Sequence, residues 1–262
     1  MTLLVAETLG IHFGGVQAVD DVSFAVETGR IFSIIGPNGA GKTTLFNLIS
    51  GIYRPNTGRI LLAGEDVTGL PPHRLAAKGI ARTFQNLQVF YGMTVIENVM
   101  VGRHLREERR LVPAMLGLPS VTRQNRATRK KAHEILAFVG LDERIDEPAG
   151  ALSYGDLRRL EIGRALALEP KLLLLDEPAA GCNPVETAEL IGLVRNIAEQ
   201  GVTIVLVEHD MRFVMQISDR VLVLDGGRML AEGSPEAVRQ NPEVVAAYLG
   251  RHGAREAGYA RG

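Results

Sequence analysis

The hydrophobic pattern of the chain is dominated by short apolar runs that end in polar or glycine-rich segments. Three runs, over residues 31–35, 172–175 and 202–207, are apolar at nearly every position. Such runs are typical of strands that are covered by helices on both faces of a parallel sheet. The pattern therefore predicts an α/β fold with a mainly parallel core sheet.

The N-terminal part carries a different, partly alternating pattern. Residues 3–13 and 16–27 are strand-like, are joined by Gly14-Gly15, and are followed by a third strand-like stretch at 59–64. Alternation at residues 22–26 is typical of a strand with one buried face. We expect these stretches to form an N-terminal antiparallel β subdomain beside the core.

The middle of the chain, about residues 88–168, changes to helical periods. Thr94 followed by Glu97 predicts a capping box at a helix start, and residues 132–140 predict an amphipathic helix that ends at Gly140. We therefore expect an α-helical subdomain inserted into the α/β core.

Residues 103–131 are rich in charge and are broken by Pro113 and Pro119. Five of the nine residues from 123 to 131 are basic. A contact with lipid headgroups is one interpretation, but a solvated helix face is favoured because charge runs usually face water.

Three further segments predict the remaining elements. Residues 71–84 predict a helix and a short strand, residues 220–231 a hairpin, and residues 234–249 a small helix pair. Residues 251–262 are rich in Gly, Arg and Ala and are predicted to be disordered. We expect one domain over residues 1–250, followed by a tail.

Composition and charge limit the compartment and the partners. The chain has 262 residues, is 46% hydrophobic and has a formal net charge of −1, so no overall field favours nucleic acid. The single cysteine, Cys182, excludes an intramolecular disulfide and fits a reducing compartment. The first seven residues lack a signal-peptide pattern, and no apolar run approaches the ~18 residues that span a bilayer. We expect a soluble, cytoplasmic protein with no nucleic-acid partner, which reaches a membrane only through other subunits.

A glycine-rich segment lies between the first buried run and a helical pattern. Its residues are Gly36, Pro37, Asn38, Gly39, Ala40, Gly41, Lys42, Thr43 and Thr44. At a strand-to-helix switch, glycines let backbone N–H groups turn toward phosphates, and the helix start adds its dipole. Lys42 can then reach the β- and γ-phosphates, and the Thr43 hydroxyl can bind Mg²⁺. An ordinary glycine-rich loop is disfavoured because strand, helix and Lys-Thr occur together, so we predict binding of a nucleoside triphosphate.

Two acids, Asp176 and Glu177, follow the apolar run at 172–175. Ligands of parallel sheets bind at the carboxyl ends of the strands. Asp176 is placed to hold Mg²⁺ through water beside Thr43, which leaves Glu177 to polarise the attacking water. Simple solvation of both acids is disfavoured by the phosphate loop in the same chain.

Three other candidate residues have competing interpretations. Gln85 ends a predicted strand and is placed to contact Mg²⁺ or the attacking water, but spacing alone favours a polar loop residue. His209 follows the run at 202–207 and can hydrogen-bond the γ-phosphate or the water, although a lone histidine is usually structural. Phe13 can lay its ring against a purine, but an aromatic residue before a Gly-Gly turn is more often part of the core.

A second candidate anion site begins at Ser153. The Ser-x-x-Asp pattern from Ser153 to Asp156 predicts a helix N-cap, and Gly155 is expected to leave the backbone exposed. A plain cap and an anion site depend on the same free N–H groups, so the two interpretations are compatible.

Over residues 3–249 the chain resembles the ATP-binding subunits of ABC transporters. Five motifs occur in order: the phosphate loop, the Gln85 loop, Leu-Ser-Tyr-Gly-Asp at 152–156, the apolar run that ends in Asp-Glu-Pro, and His209. The resemblance implies a P-loop NTPase (RecA-like) core that hydrolyses ATP with Mg²⁺. It assigns Phe13 to adenine stacking and Glu177 to the role of general base.

The resemblance also implies a partner of the same kind. It makes Ser153, Tyr154 and Gly155 a signature loop that acts on ATP held by a second ABC ATPase subunit, and it adds Asn183 to the nucleotide contacts. Such subunits close as head-to-tail dimers with two ATP molecules between them. The two anion-binding helix starts of one chain would then serve two different nucleotides.

Within that family the chain is most similar to the branched-chain amino-acid (Leu/Ile/Val) importer subunits. The similarity lies in residues 83–86 and 93–98, the insert at 103–131, Tyr154, residues 177–184, 233–236, 241–243 and 247–250. It implies membrane permease subunits, a periplasmic or extracellular substrate-binding protein as an indirect partner, and a position at the inner face of the membrane.

Other functional classes fit less well or stay open. A GTPase or a small-molecule kinase is disfavoured because no Asn-Lys-x-Asp motif is present, and neither explains the 152–156 motif. A DNA-maintenance ATPase is disfavoured because no sustained heptads separate the phosphate loop from Ser153. A transporter ATPase for another cargo, such as lipid or lipopolysaccharide, remains the alternative.

Three positions depart from the family pattern. Asp156 replaces the usual Gln, so we expect it to favour the helix dipole but to place negative charge near the phosphates held by another subunit. Cys182 stands where Leu is usual, and Asn183 where many relatives have Asp. We expect activity to survive and the coupling between subunits to be the property most affected.

Overall fold

The structure is a computed structural model that describes residues 1–104 and 119–248. In chain order the strands are β1 (Thr2–Phe13), β2 (Val16–Glu27), β3 (Ile31–Ile35), β4 (Thr57–Leu62), β5 (Glu65–Asp66), β6 (Ile80–Arg82), β7 (Leu172–Asp176), β8 (Thr203–Val207), β9 (Arg220–Asp225) and β10 (Arg228–Gly233). The helices are α1 (Lys42–Ile49), α2 (Pro72–Ala77), α3 (Val95–Gly102), α4 (Pro119–Phe138), α5 (Tyr154–Leu166), α6 (Pro184–Glu199), α7 (Met211–Ile217) and α8 (Pro235–Gln240). Residues 242–248 are also helical, so the predicted helix pair is present as far as residue 248.

The core sheet has six strands in the order β10-β9-β3-β8-β7-β6. Strand β3 pairs in parallel with β8 and β9, β8 with β7, and β7 with β6, whereas β10 is antiparallel to β9. Because the carboxyl ends of parallel strands meet at one edge, the segments after β3, β8, β7 and β6 are neighbours. The prediction of a mainly parallel α/β core is confirmed.

The N-terminal strands form a separate antiparallel sheet in the order β2-β1-β4-β5, as predicted. Apolar side chains of this sheet pack with α1 and with one face of the core sheet. This shared core includes Leu4, Leu9, Val22, Ile60, Phe46, Leu48, Leu174 and Val207. The helix after the phosphate loop is therefore held between two sheets.

The opposite face of the core sheet is covered by α3, α4, α5, α6 and α7. Their shared core includes Val95, Val99, Leu136, Leu160, Leu193, Phe213, Leu173 and Leu206. The predicted capping box is present, because the Thr94 hydroxyl accepts a hydrogen bond from the Glu97 N–H (3.3 Å) and the Glu97 carboxylate accepts one from the Thr94 N–H (2.8 Å). Gly140, with φ of +72°, ends the turn that follows α4.

The charged insert lies partly outside the described residues, as does the predicted tail at 251–262. From residue 124 to residue 131 the α4 surface is exposed or half-exposed apart from Thr128, and Arg129 pairs with Asp146. This arrangement favours the solvated helix face over a lipid contact. Within residues 1–104 and 119–248, no helix combines the length and the apolar character needed to cross a membrane.

Candidate functional site

The phosphate loop connects the fully buried strand β3 to α1, which begins at Lys42. Gly36 has φ of +152° and Gly41 has φ of +96°. A Cβ atom at Gly36 would lie 2.2 Å from the carbonyl oxygen of Leu224, and one at Gly41 would lie 2.5 Å from that of Ala18. Both glycines are therefore required by close backbone approach as well as by φ. The loop fits tightly between the N-terminal sheet and the hairpin of β9 and β10.

Lys42 is directed along this loop. Its ammonium donates hydrogen bonds to the carbonyl oxygens of Gly36 (2.7 Å) and Pro37 (3.1 Å). The side chain is 8% exposed, so the charge is held at the rim of the loop. In the rest of the loop, Asn38, Gly39 and Thr43 are exposed, Thr44 is half-buried, and Pro37 and Ala40 are buried.

Three candidate side chains from separate segments meet at Glu177. Its Oε2 atom accepts a hydrogen bond from Gln85 Nε2 at 3.1 Å, and His209 Nδ1 lies 3.7 Å from the same oxygen. Glu177 has φ of +47°, and its N–H donates to the carbonyl oxygen of Val207 at 2.9 Å. A non-glycine residue in this region stores backbone strain of about 1–3 kcal/mol. The strand order brings together residues that are 92 and 32 positions apart in the chain.

Glu208 anchors the loop that carries His209, and the sequence did not indicate this role. Its carboxylate is 1% exposed and accepts hydrogen bonds from the backbone N–H groups of Ala179 (2.9 Å), His209 (3.0 Å) and Asp210 (3.4 Å). Burial raises the pKa of the Glu208 carboxyl, and these backbone donors partly offset the effect. The segments after β7 and β8 are thereby fixed to each other.

Asp176 is paired with Arg82, another residue that the sequence analysis missed. The two side chains are each 10% exposed and Arg82 Nη2 lies 2.7 Å from Asp176 Oδ2. Arg82 Nη1 also donates to Asn47 Oδ1 (2.7 Å) and Ser50 Oγ (2.6 Å) of α1 and the segment after it. A charged residue within the short apolar segment 80–82 was the available signal, because a buried arginine needs partners.

The oxygen atoms at this edge fit Mg²⁺. Magnesium in nucleotide sites is held by one or two carboxylates or hydroxyls together with phosphate oxygens. Arg82 donates to the Asp176 carboxylate at Oδ2. No group of three or more His, Cys, Asp and Glu residues in the described chain is placed to hold a metal. A metal at this edge would therefore need Thr43, Gln85 or phosphate oxygens besides Asp176.

The second predicted helix start is confirmed at Ser153. Its hydroxyl accepts a hydrogen bond from the Asp156 N–H at 3.1 Å and caps α5. The expectation that Gly155 leaves the backbone exposed is wrong, because this residue is buried against α6. A Cβ atom there would lie 2.8 Å from side-chain carbons of Glu186.

Asp156 lies in the first turn of α5, as expected for an acid that favours the helix dipole, but the expectation that its charge projects toward another subunit is wrong. Its carboxylate is only 6% exposed and is bound by two arginines, with Arg159 Nη2 2.5 Å from Oδ1 and Arg144 Nη1 3.2 Å from Oδ2. The negative charge is compensated within the chain, so it does not project toward the phosphates of another subunit.

Three further candidate nucleotide contacts each have a partner within the chain. Phe13 is 46% exposed and packs edge to face on Tyr53 with centroids 5.2 Å apart, so the alternative of a core residue is wrong. Asn183 caps α6 by accepting hydrogen bonds from the N–H groups of Val185 and Glu186. The Tyr154 hydroxyl donates to the Ala180 carbonyl oxygen at 3.0 Å, so its side chain turns back onto its own chain.

Comparisons with known proteins agree with this geometry. A family model described as ABC transporter matches residues 19–180, and one described as branched-chain amino acid ATP-binding cassette transporter matches residues 228–254. The high-affinity branched-chain amino acid transport ATP-binding protein BraF of Pseudomonas aeruginosa is 45% identical over 249 residues, covering 95% of this chain and 98% of BraF. The lipopolysaccharide export system ATP-binding protein LptB of Haemophilus influenzae is 34% identical over 250 residues, covering 95% of this chain and 98% of LptB.

Solved structures show the same architecture. The crystal structure of the ADP conformation of MJ1267, an ATP-binding cassette of an ABC transporter, has a TM-score of 0.84 at 34% identity. The similarity covers 95% of this chain and 99% of that one. The chain therefore belongs to the ATP-binding cassettes of ABC transporters, and it is an ATPase whose reaction is coupled to transport.

Proposed function

We propose that this chain is the ATP-hydrolysing subunit of an importer for branched-chain amino acids. The observation that carries the hydrolytic role is the meeting of Gln85, Glu177 and His209 at one carboxylate oxygen. The cargo is supported by the name of BraF and by the branched-chain family match at residues 228–254. The proposal includes one ATPase domain over residues 1–250, with a helical subdomain at about residues 88–168.

Glu177 acts as the general base in the proposed reaction. Its carboxylate accepts a hydrogen bond from the attacking water and orients that water toward the γ-phosphate of ATP. Gln85 donates to this carboxylate and His209 Nδ1 lies 3.7 Å from it, so both residues are placed to contact the water and the γ-phosphate. Phosphoryl transfer needs mainly positioning and charge neutralisation, which the fixed segments after β6, β7 and β8 supply.

The phosphate loop binds the triphosphate in this proposal. Lys42 exchanges its two carbonyl contacts for β- and γ-phosphate oxygens, and the start of α1 supplies backbone N–H groups. Thr43, Asp176 and Gln85 are the residues that would hold Mg²⁺. When bound, the metal neutralises charge on the β- and γ-phosphates. Phe13 offers its exposed ring to the adenine.

A second ABC ATPase subunit, identical or paralogous, completes each site. The capped start of α5, with Ser153, Tyr154 and Gly155, faces the nucleotide held by that subunit, and Asn183 lies near the contact. A helix start attracts phosphate through its N–H groups and its dipole. One chain therefore binds one nucleotide with its phosphate loop and a second with its signature loop.

Membrane permease subunits dock next to the Gln85 segment in this proposal. A groove of about 360 Å³ separates the segment after β6 from α3 and α5. Its lining includes Arg82, Phe84, Phe90, Val101, His104 and Arg164. The exposed aromatic rings and the cationic groups suit a helix that carries apolar and acidic residues. The complex would hold this chain at the cytoplasmic face of the membrane.

Reconstitution with the permease subunits in proteoliposomes tests the cargo. We expect the substrate-binding protein loaded with leucine, isoleucine or valine to stimulate ATP hydrolysis and uptake of the amino acid. The Lys42→Ala variant in the same vesicles is the control for hydrolysis by this chain. Stimulation by a lipid or by lipopolysaccharide, without any response to these amino acids, would replace the proposed cargo with the alternative one.

A further inference from the structure

The start of α5 is joined by the buried Arg158 and Glu161 to the segment that carries Gln85, and by the partly exposed Tyr154 to the segment that carries Glu177. We propose that Arg158 is a positioning residue through which the signature loop controls the geometry of Gln85 and Glu177 in the same chain. The inference rests on the proposed function, because it assumes that Glu177 directs hydrolysis and that Ser153 meets the nucleotide of a second subunit. It adds a route of communication between the two nucleotides.

Arg158 binds two successive backbone carbonyl oxygens, those of Phe84 and Gln85. Its Nη1 donates to the carbonyl oxygen of Phe84 at 3.1 Å, and its Nη2 donates to that of Gln85 at 2.8 Å. The residue is 3% exposed. A charged fork on two successive carbonyl groups fixes the orientation of the chain there, and therefore the direction of the Gln85 side chain toward Glu177.

Glu161, one turn further along α5, accepts hydrogen bonds from backbone N–H groups of the same segment. Its Oε1 accepts from the N–H of Gln88 at 3.2 Å and, more weakly, from that of Phe84 at 3.4 Å. Its Oε2 lies 3.3 Å from Arg158 Nη1. The buried ion pair of Arg158 and Glu161 thus binds carbonyl oxygens and N–H groups of the segment 84–88. This segment therefore moves with α5.

Tyr154 extends the connection to Glu177. Its hydroxyl accepts a hydrogen bond from Arg158 Nη2 at 2.9 Å and donates to the Ala180 carbonyl oxygen at 3.0 Å. Ala180 closes a turn with Glu177, because its N–H donates to the Glu177 carbonyl oxygen at 3.1 Å. The guanidinium of Arg158 is therefore linked to Gln85 directly and to the turn of Glu177 through one hydroxyl group.

This arrangement makes the signature loop part of the hydrolytic site of its own chain. Ser153 caps the helix on which Arg158 and Tyr154 stand, so a shift of this helix start toward a nucleotide displaces the contacts to residues 85 and 180 together. Occupation of one nucleotide site then alters hydrolysis at the other, and we expect hydrolysis to be cooperative in ATP.

Kinetics of three variants test the inference. Tyr154→Phe keeps the ring and removes both hydroxyl contacts, and we expect it to lower kcat about 3- to 10-fold, as for one or two lost hydrogen bonds. Arg158→Gln should lower kcat about 10- to 100-fold, and Arg158→Lys should restore part of that loss. Affinity for ADP should stay within about twofold, because the phosphate loop is untouched, and the Hill coefficient should fall toward that of independent sites.

Arg195→Gln is the matched control, because Arg195 also binds a backbone carbonyl, that of Gln216, but on an exposed part of α6. It should leave kcat and the Hill coefficient unchanged. A Tyr154→Phe variant with wild-type kcat and cooperativity would overturn the inference even if Arg158→Gln failed to fold. If Glu177→Gln retained normal hydrolysis, the proposed function itself would fail, and that outcome is separate from the Tyr154 result.

Discussion

The Asp176 carboxylate stands at the nucleotide edge of the sheet already paired with Arg82. Because both side chains are 10% exposed, removal of one partner leaves a buried charge without compensation. We predict that Arg82→Ala lowers the free energy of unfolding by about 3–5 kcal/mol, measured by urea denaturation. The exposed Arg195→Ala should cost less than about 0.5 kcal/mol. Equal stability of the two variants would show that the ion pair does not fix Asp176.

In the proposed function, Lys42 supplies positive charge to the triphosphate. We predict that Lys42→Ala abolishes tight binding of ATP in a calorimetric titration while the protein stays folded. Lys78→Ala is a suitable control, because the Lys78 ammonium pairs with Glu65 and lies outside the phosphate loop. An unchanged ATP affinity of Lys42→Ala would contradict the assignment of the loop.

Glu208 makes stability depend on pH. Burial raises the pKa of its carboxyl above the ordinary value of 4.5, so its favourable contribution is complete below that pH and is lost as pH rises through the raised value. The Glu208→Gln variant has no titratable group at this position. We predict that the free energy of unfolding of the variant increases relative to that of the wild type between pH 4.5 and pH 7, because only the wild type loses this contribution to stability. Urea denaturation at the two pH values measures this difference, and a difference independent of pH would contradict the prediction.

Individual side-chain directions were the least predictable features of the site. Residue types and spacing indicated Lys42, Asp176, Glu177 and His209, because each follows a strand at the ligand edge. They did not indicate that Asp156 turns inward to Arg144 and Arg159. Such directions depend on which helices pack against each other, and local sequence carries no signal for that.

The loop between β3 and α1 shows how closely one element is fitted to its neighbours. Gly39 has φ of +81°, and a Cβ atom there would meet nothing within 4 Å, whereas a Cβ atom at Gly41 would lie 2.5 Å from the Ala18 carbonyl oxygen. We predict that Gly39→Ala costs about 1 kcal/mol, from φ alone. Gly41→Ala should cost about 2–4 kcal/mol, because the backbone of β2 must also move. Thermal unfolding of both variants without nucleotide tests this order, and a Gly41→Ala no less stable than Gly39→Ala would contradict it.

Strands and capped helix starts were predicted well because their signals are local. The apolar runs gave β3, β7 and β8, and the capping patterns gave the starts of α3 and α5. No prediction was made for α6 or α7. Both begin at a capping residue, Asn183 for α6 and Asp210 for α7.

The order of the core strands decides which chemical groups meet in the whole molecule. Because β8 lies between β3 and β7, the His209 segment is adjacent to both the phosphate loop and the acids. The sequence predicts which segments belong at the ligand edge, but pairing over more than a hundred residues leaves no periodic signal. The family resemblance therefore supplied the arrangement that the hydrophobic pattern alone left open.

In the proposed function, two helix starts of the described chain, at Lys42 and at Ser153, bind phosphate. A single chain cannot direct both at one γ-phosphate in the proposed function, so closure around ATP requires two subunits. In this proposal, transport is driven by closure of the two subunits on ATP binding and by their opening after hydrolysis. The buried contacts of Arg158 would make that alternation sensitive to both nucleotides.

Glu177→Gln provides the most direct test of this account. The variant keeps the shape of the side chain and the contacts of the phosphate loop, but it loses the carboxylate that we propose as the general base. We predict unchanged ATP affinity, hydrolysis reduced at least about a hundredfold, and a stable dimer in sedimentation experiments with ATP. Hydrolysis at the wild-type rate, or a protein that stays monomeric with ATP bound, would contradict the account.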